Sequence, residues 1–134
     1  MSSSFRLILL VVGFMVTLVS VADSTLPWQP SVAHGPKVLE KVRNNEWLLI
    51  DVRTPTEFAQ YHIPGAVNIP HDKIDTHISY LKDGKHKPLI VYCRSGRRSK
   101  LAIETLKARS FDNVSHLEGD MMGWHDAGLP VEQM

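Results

Sequence analysis

Apolar positions along this chain follow two alternating rhythms. Residues 47–52 and 88–92 are nearly unbroken apolar and β-branched runs set off by polar residues and proline, the pattern of strands buried on both faces. A shorter run at 66–69, caught between Pro64, Gly65 and Pro70, predicts a brief strand, and 113–117 predicts another. Between these runs the spacing becomes helical. Val38, Leu39 and Val42 mark one helix within 34–45, with Asn44 and Asn45 as its stop. Ile74, Ile78 and Leu81 mark a second within 72–82, closed by Gly84, and Leu101, Ala102, Thr105 and Leu106 share a face of a third within 97–109. Strand and helix alternate, which predicts an α/β fold with a mainly parallel central sheet and helices on both faces. Ligands of such sheets bind outside the carboxyl ends of the strands.

The amino terminus has a different organisation. Arg6 is followed by an apolar stretch over 7–21 and then by Ala22 and Asp23, the order of a secretory signal peptide, with Ser20 and Ala22 as the small residues before a cleavage point. Residues 1–22 are therefore expected to be a signal peptide, 23–33 a linker containing Pro27 and Pro30, and 34–134 the folded domain. The apolar stretch is short for a spanning helix, so contact with a membrane is expected only if the signal stays uncleaved. The expected location is periplasmic or extracellular.

A chain of 134 residues, 43% hydrophobic, supplies one core, and a monomer is expected. Its 15 basic and 14 acidic residues become 14 and 14 once Arg6 is removed with the signal, and no basic run or aromatic-interleaved stripe points to nucleic acid. The seven histidines show no paired ligand spacing, so neither a metal nor another cofactor is expected. Export permits disulfides, yet Cys93 is the only cysteine. By itself it is a buried small hydrophobe, a site of intermolecular pairing or a reactive thiol.

Its surroundings favour the reactive thiol. Cys93 ends the 88–92 strand, and Arg94, Ser95, Gly96, Arg97, Arg98 and Ser99 lead into the next helix. Amides at a helix start lack intrahelical partners and, with three arginines, favour a thiolate over a thiol and attract an anionic substrate. Gly96 lets the loop curl tightly. The pattern Cys-Arg-Ser-Gly-Arg-Arg-Ser at 93–99 resembles the active-site loop of the rhodanese family at every defined position. The resemblance extends to the 51–58 and 62–70 blocks upstream, and to Leu117, Glu118 and Gly119, Trp124 and the 127–131 block downstream. One position departs from it: Asp120 stands where a second glycine is common, adding a side chain and a negative charge near the cleft.

The resemblance implies a sulfurtransferase. Cys93 would take the outer sulfur of thiosulfate or a related small anionic donor, become a persulfide, and pass that sulfur to cyanide or a thiol. Residues 94–99 would bind the substrate, with their amides around the outer sulfur and Arg94 and Arg97 attracting the donor. Arg98 has two readings, direct contact with substrate or a brace to an acid such as Glu57 or Asp51. Asp51 and Arg53 are expected to serve folding, His62 to bond backbone in a turn, and Trp124 to anchor packing or wall the cleft. A persulfide carrier without steady-state turnover is an alternative. A cysteine phosphatase or arsenate reductase is disfavoured because arginine falls five positions after Cys93, whereas the resembling phosphatases place it at six.

Overall fold

The computed structural model describes residues 29–83 and 87–134. The expected signal peptide at 1–22, most of the 23–33 linker and the Gly84 helix stop lie outside them. Four strands, β1 (Leu48–Asp51), β2 (Val67–Asn68), β3 (Leu89–Tyr92) and β4 (Val114–His116), form one sheet in the order β2-β1-β3-β4. All three pairings are parallel, with Asp51 opposite Tyr92 across β1 and β3. The helices are α1 (Gly35–Arg43), α2 (Pro55–Gln60), α3 (Ile78–Asp83), α4 (Arg97–Ala108) and α5 (Asp120–Asp126). Short 3₁₀ turns at Val32–His34 and Ile74–His77 lead into α1 and α3.

Successive residues of a strand point to opposite faces, so the continuous apolar runs supply two cores. Ile50, Leu89 and Val91 face Leu81, Ala102, Leu106 and Phe111 in one layer. Leu49, Ile90 and Tyr92 face Val38, Met121 and Trp124 in the other. Helices therefore cover both faces. On α4, Ala102 and Leu106 are buried as expected, but Leu101 points to solvent and Ile103 packs on the core in its place. The buried stripe is thus rotated from the expected face.

Two helices were not apparent from apolar spacing. Helix α2 buries only Phe58 and is set by its ends: the Thr54 hydroxyl accepts from the Glu57 amide, Glu57 bonds back to Thr54, and Pro55 occupies the first turn. Helix α5 begins after Gly119, whose φ of +99° disfavours a side chain and where an added Cβ would fall 2.5 Å from a Val32 methyl. The described end of the linker is docked: Ser31 bridges Glu118, with the Val32 amide donating to the Glu118 carbonyl at 2.9 Å. No helix among the described residues is long and apolar enough to cross a membrane.

Candidate functional site

From β1 the chain moves to β2 on one side, then crosses back to β3 on the other, so the carboxyl ends of β1 and β3 lie side by side where the strand order reverses. This is the expected position of a ligand crevice. Cys93 leaves β3 there and is free of disulfide bonding and buried. Gly96, at φ +108°, folds the loop back so that its amide donates to Cys93 Sγ at 3.0 Å. Gly96 is also the N-cap of α4 and has no side chain, so no side-chain cap competes for the first amides of that helix. The first amides of α5 hold the other side of the loop, Met121 N–H to the Cys93 carbonyl at 2.9 Å and Met122 N–H to the Arg94 carbonyl at 3.1 Å.

The predicted loop residues separate into two groups. Arg94, Ser95 and Arg97 are exposed in the loop that follows Cys93, where they can meet an incoming anion. Arg98 makes the bracing contact with Glu57, donating at 2.6 and 3.0 Å to the two carboxylate oxygens. The Arg98 guanidinium, with smaller help from Thr54, lowers the Glu57 carboxyl from 4.5 to about 2. Ser99 is fully buried, and its hydroxyl donates to Asp120 at 3.2 Å.

Asp120 lies beneath the loop, 3% exposed, with a left-handed φ of +52° at the position where the resembling sequences commonly carry glycine. Its Oδ1 accepts from the Cys93 amide at 3.0 Å, and His116 Nε2 reaches its two oxygens at 2.9 and 2.8 Å. The hydrogen bond to Asp120 raises the His116 imidazole above its ordinary 6.5, against the opposing effect of burial. His116 was not among the sequence candidates. Its partner lies across the turn at 117–119, and no local pattern signals the pairing.

The remaining candidates frame the site. Asp51 and Arg53 form a buried fork, Nη2 to Oδ2 at 2.7 Å and Nε to both oxygens at 3.0 and 3.1 Å, and Arg53 Nη2 also donates to the Tyr61 carbonyl at 2.7 Å. Burial lowers the proton affinity of Arg53, but the bonds and charge of Asp51 outweigh it and the net shift is upward. His62 Nδ1 donates to the Phe58 carbonyl at 2.8 Å, and its ring stacks on Phe58. Trp124 is fully buried and donates to the Pro130 carbonyl at 2.7 Å, which makes it an anchor.

A cavity of about 540 Å³ opens beside the loop, with Arg53, Glu57, Tyr61, Arg94, Met121 and His125 on its walls. Among the described residues, no three His, Cys, Asp or Glu side chains gather into a metal-ligand group.

The comparisons with known proteins agree with the fold. A family model described as Rhodanese-like domain matches residues 36–127. An uncharacterized protein of Synechocystis sp. is 35% identical over 112 residues, 83% of this chain and 60% of that protein, so the match spans about three fifths of the relative. A sulfurtransferase of Allochromatium vinosum is 38% identical over 84 residues, 63% of this chain and 77% of that protein. The crystal structure of a rhodanese-related protein from Thermoplasma volcanium superposes with a TM-score of 0.66 at 26% identity, covering 79% of this chain and 98% of that one.

Proposed function

We propose, from the premise that this chain belongs to the rhodanese-like family, that it transfers sulfane sulfur from thiosulfate or a related small anion to a thiol or cyanide through a persulfide on Cys93. Family membership and the sulfurtransferase relative support sulfur transfer in general. The observation that carries the finer reading is the 3.0 Å bond from the Gly96 amide to Cys93 Sγ, at the uncapped start of α4 and between exposed Arg94 and Arg97.

In the first half-reaction the Cys93 thiolate attacks the outer sulfur of thiosulfate. A new S–S bond forms, the S–S bond of thiosulfate breaks, and sulfite leaves with the electron pair. In the second, an acceptor thiolate or cyanide attacks the outer sulfur, taking it as a persulfide or thiocyanate and restoring the Cys93 thiolate. Arg94 and Arg97 raise the local concentration of the anionic donor, and the loop amides stabilise charge on the outer sulfur. The Arg98–Glu57 brace and the Asp51–Arg53 fork keep the loop and the neighbouring strand end in place. The proposal includes an exported site of action, supported by the layout of residues 1–22.

Intact mass spectrometry tests both parts. Protein recovered from the export compartment should lack about 22 residues, and thiosulfate should add about 32 Da, removable by cyanide and absent in Cys93→Ser. Loading without steady-state turnover would favour the carrier alternative, and no loading would refute the proposal.

A further inference from the structure

The reaction as written gives no task to the carboxylate beneath the loop. Asp120 is almost wholly buried, yet it accepts bonds from the backbone amide of the reacting cysteine, from the hydroxyl of Ser99 in the first turn of α4, and from His116 at the end of β4. It thus joins the strand end, the helix start and the neighbouring strand around one sulfur. A carboxylate in that place also presents negative charge to a group that must itself be negative, and like charges in a poorly solvated setting oppose each other.

His116 answers that opposition. Its imidazole forks across both Asp120 oxygens, and its side chain is 36% exposed, facing a second cavity of about 470 Å³ beside Gly96 through which protons can exchange with solvent. Protonated, the pair is neutral; deprotonated, it keeps a hydrogen bond and carries one net negative charge. Other charges also face the pair: Lys100, Glu104 and Lys107 on α4 line the same cavity as His116, Glu118 follows β4, and Cys93 ends β3. Of the groups around the carboxylate, His116 is the one hydrogen-bonded to both of its oxygens, and an imidazole is the side chain suited to exchange a proton near neutrality.

We propose that Asp120 and His116 are a positioning pair for sulfur transfer: Asp120 fixes the Cys93 amide and the Ser99 hydroxyl, and the proton on His116 cancels the carboxylate charge that would otherwise oppose an anionic sulfur. The proposal rests on the reading of Cys93 as the sulfur carrier. It makes activity fall as pH rises through the titration of His116, beneath the ordinary rise in thiolate, and it gives a role to the acid that departs from the family pattern.

Cys93 is the only cysteine in the chain, so iodoacetamide labelling of the full-length protein reads this sulfur alone. Labelling rates are compared from about pH 6 to about pH 9, the range spanning the histidine titration. His116→Gln is expected to label about three- to tenfold more slowly than the parent at the acid end and to converge with it at the alkaline end. Asp120→Asn, which tolerates the same left-handed backbone, should label at least as fast as the parent at both ends. His116→Lys, which keeps its positive charge when the parent imidazole has lost its own, should label faster than the parent at the alkaline end.

Parallel profiles for His116→Gln and the parent, slowing by Asp120→Asn to match His116→Gln, or no labelling of Cys93 at any pH would each overturn the pair. The failures are separable. Loss of thiosulfate loading with the labelling differences intact would sink the sulfurtransferase reading and leave the electrostatic role of the pair standing.

Discussion

Replacing Glu57 with glutamine removes a charge and leaves a side chain of nearly the same shape, which isolates the electrostatic part of the loop brace. Arg98 donates two bonds to Glu57, and the carboxyl sits at about 2 where 4.5 is ordinary. At about 1.4 kcal/mol per pH unit that depression sets a ceiling of about 3.5 kcal/mol. The Arg98 and Glu57 side chains are 26% and 30% exposed, and solvent screening of such a pair reduces the expected loss to about 1–2 kcal/mol. The sign follows from linkage. A carboxyl depressed in the folded state contributes its full stability above 4.5 and loses it as pH falls through about 2. Glu57→Gln should therefore be about 1–2 kcal/mol less stable than the parent at neutral pH, and the two should converge near pH 2.

Urea unfolding followed by tryptophan fluorescence, repeated across that pH range, measures the difference directly. Thiosulfate loading at neutral pH should also slow, because Arg98 occupies the first turn of the helix whose start holds Cys93. A stability loss that is the same at every pH would refute the ion-pair reasoning, because the Thr54 capping contacts are ones that glutamine can retain. A loss below about 0.3 kcal/mol would place the pair among surface contacts of no measurable consequence.

Two further substitutions examine the framework. Asp51→Ala strands a buried guanidinium and is expected to cost about 3–5 kcal/mol in urea unfolding, whereas a cost under about 1 kcal/mol would mean that solvent reaches Arg53. Gly96→Ala forces a side chain onto a φ of +108° with an Asp120 oxygen 3.2 Å from the new carbon, and should slow sulfur loading by about tenfold or more. Unchanged loading in that variant would show that the Gly96 amide does not need its bond to the sulfur.

Much of the molecule was legible before folding because the deciding forces were local in sequence. Continuous apolar runs at 47–52 and 88–92 can satisfy two buried faces only as interior parallel strands, and they became β1 and β3. The loop at 93–99 carried its own chemistry in residue types and spacing. Helix α2 escaped apolar spacing because capping defines it, and a threonine, a proline and a glutamate in the right order were the available sign.

What the tertiary structure decided was which partner each polar side chain took. Glu57 and Asp51 were equally available to Arg98 in the sequence, and the packing of α2 beside the loop selected Glu57 while Asp51 closed on Arg53. The helix start turned the Ser99 hydroxyl inward onto Asp120. His116 and Asp120 meet Cys93 only because β4 pairs with β3 and the turn at 117–119 doubles the chain back under the loop. Hydrogen bonds and charge pairs act over a few ångströms of space whatever the distance along the chain, so sequence order could name the nucleophile and put Asp120 near the cleft but not the bonds by which it holds the loop.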